Sequence, residues 1–233
     1  MSERTKGLLN AAAIGIILFL IIDVLATAWT STVDAFTSAP SASSFVRGGP
    51  LLAAMFVGLA VGLVGLARYE RGYLGVDRRG DGLDGQRLAT MIAAGIGAHN
   101  LSEGLAIGQS YAAGATALAL VLIIGFGAHN ATEGFGIAAP LTNAGSRPPL
   151  AFLVKIGLLG GGPTFVGTIL GSAFYSPVAY VLFLSLAGGA LVYVAMVMYT
   201  VARRQTGNDL LMVGAFIGLC AGFLTDLIIS LAG

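Results

Sequence analysis

His99 and His129 are the only histidines in this chain of 233 residues, and each is followed four positions later by a glutamate, Glu103 and Glu133. Side chains at i and i+4 share a helix face, so each segment would present one imidazole and one carboxylate in the same direction. Two such faces opposed make an N2O2 cage, a donor set that suits zinc and other first-row divalent ions without separating them. Asn100 and Asn130 directly follow the histidines and can add neutral oxygens or hold the ligands by hydrogen bonds. The plainer alternative is a set of polar residues that knit helices together. Two copies of both residue types weigh against it, because burying two carboxylates in lipid without compensation is costly.

The duplication extends beyond the four ligands. Residues 95–104, Gly-Ile-Gly-Ala-His-Asn-Leu-Ser-Glu-Gly, recur thirty residues later at 125–134 as Gly-Phe-Gly-Ala-His-Asn-Ala-Thr-Glu-Gly, with seven of ten positions identical. Both copies fall near the middle of long apolar stretches. Consecutive spans run in opposite directions, so the copies are expected to face each other near the bilayer midplane.

The elements that must position these groups are transmembrane helices. The chain is 56% hydrophobic and 10% charged, with a mean hydropathy of +0.88, far more apolar than a soluble domain. Seven apolar stretches, at about 7–29, 50–67, 88–110, 115–139, 150–172, 177–200 and 210–232, are long enough to cross a hydrocarbon core of about 30 Å as helices. They are continuously apolar rather than alternating, which argues against a β-barrel. The expected fold class is therefore all-α: a polytopic membrane helix bundle forming one transmembrane domain over residues 1–233. The 35 glycines suit helices that approach closely in lipid.

Charge sets the expected orientation. With the N-terminus inside, eleven of the twelve Lys and Arg residues lie on the cytoplasmic side and Arg47 alone lies outside. The positive-inside rule then places the C-terminus outside, as seven spans require. Residues 68–87 mix Arg with Asp and Glu and carry Gly72, Gly75, Gly80, Gly82 and Gly85, the pattern of a flexible cytoplasmic loop. A Ser-, Thr- and Ala-rich outer loop is expected at about 30–49. Ala26-Thr27-Ala28 resembles a signal-peptidase site, but the preceding apolar run is too long for an ordinary signal core and contains Asp23. The single Cys220 excludes an intrachain disulfide and reads as small apolar packing.

The paired His-Asn-x-x-Glu-Gly segments resemble those of the ZIP (Zrt/Irt-like) family of divalent-metal transporters. In motif the resemblance rests on residues 95–138; in layout it covers most of the chain. It implies that His99, Glu103, His129 and Glu133 are the primary transport-site ligands, and that Asn100 and Asn130 belong to an adjacent second site. The family usually has eight helices with the motifs in the fourth and fifth, whereas here they fall in the third and fourth. Ser102 and Thr132 stand where the family commonly has proline, and their hydroxyls can bond to the preceding helical turn instead. In the fifth span Gly160-Gly161-Gly162-Pro163 falls where the family often has Glu-Pro, which leaves Gly162 in place of a carboxylate. Three glycines and a proline predict a broken helix there.

Asp23 and Asp226 are further intramembrane acids that could line an ion path, Asp34 and Gln109 could meet ions at an outer mouth, and Trp29 reads as an interfacial anchor. The expected function is transport of a divalent metal as substrate. Zn2+ leads, Fe2+, Mn2+ and Cd2+ stay open, and no prosthetic group is expected. A membrane-embedded metalloenzyme is the second reading, although di-iron bundles use Glu-x-x-His rather than His-x-x-x-Glu; a metal-stabilised sensory or structural protein is the third. The expected partners are divalent metal ions and the lipid bilayer, with a homodimer as the candidate assembly, no nucleic acid, and the plasma membrane as location.

Overall fold

The computed structural model describes residues 3–38, 41–68, 85–112, 114, 116–143, 148–173 and 176–232, and all the regular structure among them is helical. Seven long helices follow in order: α1 (Glu3–Thr37), α2 (Ser41–Ala60), α3 (Gly85–Ala112), α4 (Thr116–Ala138), α5 (Leu150–Ala173), α6 (Pro177–Gln205) and α7 (Asn208–Ala232). α2 runs on through a π-helical turn at Val61–Gly65, and α4 ends in a 3-10 turn at Ala139–Asn143 that contains Pro140. Five stretches within these helices are long and apolar enough to cross a membrane: Gly7–Thr37, Ser43–Arg68, Leu150–Ala173, Pro177–Thr200 and Asn208–Leu227.

The outer loop expected at 30–49 is largely helix. α1 continues to Thr37 and α2 already begins at Ser41, which puts Pro50 inside α2. Local chemistry accounts for the difference. The hydroxyls of Ser31, Thr32 and Thr37 donate to the carbonyls of Thr27, Ala28 and Val33, so these polar residues are accommodated within a helix. Phe36 and Phe45 then pack edge to face with ring centroids 5.7 Å apart, joining the extra turns of the two helices. At 35 residues α1 is about 52 Å long, well beyond the hydrocarbon thickness. Residues 69–84, most of the expected cytoplasmic loop, lie outside the described residues.

Connections between later helices are short, as expected. Gly114 bridges α3 and α4 at φ 78°, a left-handed conformation that glycine adopts without a Cβ penalty, and its N–H donates to the Tyr111 carbonyl. Ser176 caps α6, its hydroxyl accepting from the Ala179 N–H while Pro177 occupies the first turn.

The helices pair in a nested order: α1 against α7, α2 against α6, and α3 against α5. Each pair meets backbone to backbone. A Cβ on Gly218 of α7 would collide with the Ala12 carbonyl of α1, one on Gly62 with the Leu186 carbonyl of α6, and one on Gly104 of α3 with the Thr164 carbonyl of α5. Small residues thus convert the helix surfaces into close van der Waals contact, the main source of association in lipid. α4 stands outside this nesting and packs on α3, α7 and α1.

Two apolar clusters fill the interior. One contains Ala11 to Leu20 of α1 with Leu88 to Ile96 of α3 and Leu191 to Ala202 of α6; the other contains Val24 and Ala28 of α1 with Leu51, Val181 and Leu184. Along α1 the boundary falls between Leu20 and Val24, where Asp23 sits. On α3 the buried polar residues from His99 to Glu103 follow directly on Ile96, the last α3 residue of the first cluster.

Candidate metal centre

His99, Asn100, Ser102 and Glu103 are all buried on α3, and Glu133 is buried on α4. Their helices bring the three titrating groups together. His99 Nε2 lies 3.4 Å from Glu103 Oε1, one turn along the same helix, and 3.8 Å from Glu133 Oε1 on the neighbouring helix. Two donors on one tetrahedral zinc, each about 2.0–2.1 Å from the metal, stand about 3.3 Å apart, so the His99–Glu103 separation is that of co-ligands. Among the described residues no three His, Cys, Asp or Glu side chains are grouped so as to hold a metal ion. The fourth expected ligand, His129, has its backbone in α4 and its side chain outside the described residues, as does Thr132.

The asparagines bind the two helices to each other. With its amide nitrogen turned toward the acids, Asn130 donates to Glu133 Oε2 at 2.9 Å and to Glu103 Oε2 at 3.2 Å. Asn100 faces Glu133 from the other side and donates to the Gly160 carbonyl of α5 at 3.0 Å. Each motif's asparagine therefore meets the other motif's glutamate, the arrangement expected of a sequence repeat folded on antiparallel helices. Both asparagines act as hydrogen-bond donors here.

α5 is continuous from Leu150 to Ala173, with Pro163 inside it, so the break expected at Gly160–Pro163 does not occur. Pro163 has no N–H and deprives the Leu159 carbonyl of its helical donor. Gly97 of α3 comes directly onto that carbonyl, and Asn100 holds the Gly160 carbonyl one residue on. Close packing by α3 thus takes the place of the missing ladder bond. Gly162 points elsewhere: it lines an open apolar groove of about 550 Å³ with Ala94, Gly97, Leu101, Pro163 and Phe183. The α5 backbone meets the motif at Leu159, Gly160 and Thr164, against Gly97, Asn100 and Gly104, whereas Gly162 opens on the groove.

Two acids outside the motif lie near enough to act on it electrostatically. Asp23 of α1 lies within electrostatic reach of His99, Glu103 and Glu133, and Asp226 of α7 within reach of Asp23. Asp34 is exposed on the outer turns of α1, and Gln109 is half-buried toward the end of α3. Trp29 is exposed on the surface of α1, and Cys220 is a free, half-buried thiol on α7.

Among curated proteins, no single relative matches the chain at a significant level. The family model for the ZIP zinc transporter matches residues 76–230, a segment that begins before α3 and ends in α7, and so contains both copies of the motif. With that match over most of its length and both motif copies folded toward each other, the chain belongs to the ZIP zinc transporter family.

Proposed function

We propose that this protein carries a divalent metal ion, Zn2+ first, across a membrane through a site built from His99, Glu103, His129 and Glu133, with Asn100 and Asn130 orienting the acids from beside it. The observation that carries the reading is the convergence of His99 on carboxylates from two helices at 3.4 and 3.8 Å in a buried polar layer. An ion entering this layer loses most of its hydration, and two carboxylates with two neutral imidazoles replace it without leaving net charge in the membrane interior.

The topology that goes with this function has seven spans, a cytoplasmic N-terminus and an external C-terminus, with α3 and α4 crossing as two of the seven. Apolar helices that carry such a polar motif can cross because the motif residues face neighbouring helices rather than lipid. The plasma membrane is the proposed location and a homodimer the proposed assembly. Uptake of Zn2+, Fe2+, Mn2+ and Cd2+ into sealed proteoliposomes tests the function directly. Metal-dependent flux that disappears in His99→Ala and Glu133→Ala supports it; high-affinity binding without flux would favour a sensory or structural role.

A further inference from the structure

Helical hydroxyls in this protein mostly turn back on their own helix. Thr32 donates to the Ala28 carbonyl, Thr90 to Gln86 and Ser110 to Ala106, at 2.8, 2.8 and 2.9 Å. Ser102 does not. Its Oγ is buried, with the residue 1% exposed, and has no hydrogen-bond partner among the described residues. The hydroxyl bond to the preceding turn expected from the sequence is therefore absent at this position. Polar groups buried in proteins are almost always paired, and a serine with a purely packing role could be alanine without loss.

Position gives this hydroxyl a use. Ser102 is three residues beyond His99 and adjacent to Glu103, and residues at i and i+3 are neighbours on a helix surface. The second copy of the repeat also has a hydroxyl at the equivalent place, Thr132. Ser185 of α6 and Thr164 of α5 also lack partners, but neither belongs to the motif. We propose that Ser102 provides a neutral oxygen ligand to the divalent cation in transit, beside His99 and Glu103. A hydroxyl oxygen has lone pairs free for a hard or borderline cation and adds no charge to a site whose two carboxylates already balance one divalent ion. It would replace one of the waters that the ion gives up on entering the apolar layer.

This inference rests on the proposed metal site, and its test separates the two. The full-length protein in detergent is followed by thermal unfolding with and without Zn2+ or Cd2+, and in proteoliposomes by uptake, for the unmodified chain, Ser102→Ala, Ser102→Cys and Ser185→Ala. Without metal, Ser102→Ala should unfold at the same temperature or higher, because no hydrogen bond is lost. With Zn2+ its stabilisation should fall and the KM for uptake should rise roughly tenfold, the scale of one lost bond to a charged partner. Ser102→Cys should recover binding of Cd2+ in preference to Zn2+, since sulfur favours the softer ion. Ser185→Ala should match the unmodified protein throughout. Unchanged Zn2+ stabilisation and KM in Ser102→Ala, with metal effects intact in the unmodified chain, would overturn the role of Ser102 alone. Absence of any metal effect in the unmodified chain would overturn both this role and the site on which it depends.

Discussion

Asn130 on α4 reaches across to Glu103 on α3, its amide nitrogen 3.2 Å from Oε2, and Asn100 on α3 faces Glu133 on α4 in return. The reciprocity follows from the repeat: equal sequences on antiparallel helices present equal groups to each other across an approximate two-fold axis. One consequence is that each carboxylate is held by the helix it does not belong to. Movement of α3 against α4 would therefore alter both acids at once.

If the proposed site carries the ion, removal of His99 or Glu133, two of the three titrating groups that meet there, should abolish transport rather than folding. His99→Ala and Glu133→Ala are expected to lower metal affinity by more than about 100-fold, since loss of a group that merely supports a ligand typically costs 10–100-fold. Equilibrium metal titration of the purified variants measures this, with helical content by circular dichroism as the check on folding.

Metal binding should weaken as pH falls toward about 6. A free imidazole titrates near 6.5, and its proton occupies the lone pair the metal needs. Protonation therefore competes with the ion, and the sign is loss of affinity on acidification. Equal Zn2+ affinity at pH 7.5 and 5.5 would argue against histidine ligation.

Asn100→Ala should destabilise the protein by about 1 kcal/mol through loss of the bond to the Gly160 carbonyl. Asn100→Asp should cost more, because it sets a carboxylate against that carbonyl and against Glu133. The order Asn, then Ala, then Asp in detergent unfolding temperature is the outcome to look for.

Gly104→Ala should destabilise the α3–α5 pair by about 1–3 kcal/mol, because its methyl group would run into the Thr164 backbone. Gly162→Ala is the matched control, with no atom within 4 Å of the added carbon. Comparable losses from the two substitutions would show that the close approach of α3 and α5 has been misjudged.

One high-affinity ion per chain is expected, because Glu103 and Glu133 balance a single divalent charge and a second cation nearby would be repelled. Gly162→Glu should not add another, since that position opens on the apolar groove. Anomalous scattering at the metal edge counts the ions. Two sites in the unmodified protein, one of them lost in Asp23→Asn, would identify Asp23 as the missing ligand.

The sequence alone disclosed the helical class of the molecule, its family and the motif residues His99, Glu103 and Glu133 that meet in the fold. Apolar runs of membrane length, the His-Asn-x-x-Glu-Gly repeat and the i to i+4 spacing are local properties, and they were enough to indicate helices, a metal-type donor set and the family. Local signals misled where a neighbour supplies what the segment lacks. Gly160-Gly161-Gly162-Pro163 has the composition of a break, yet α3 packs onto the Leu159 carbonyl and Asn100 bonds the next one, so the helix persists. The Ser- and Thr-rich outer segment reads as a loop, yet its hydroxyls bond the preceding turn and Phe36 meets Phe45. Only the tertiary structure decided that Asn100 bonds the Gly160 carbonyl while Gly162 opens on the groove, that Asp23 comes within electrostatic reach of His99, and that Ser102 is buried without a partner among the described residues. These facts depend on helix rotation and on pairing between residues far apart in the chain, and a periodicity of 3.6 fixes which side chains share a face without fixing which neighbour that face will meet.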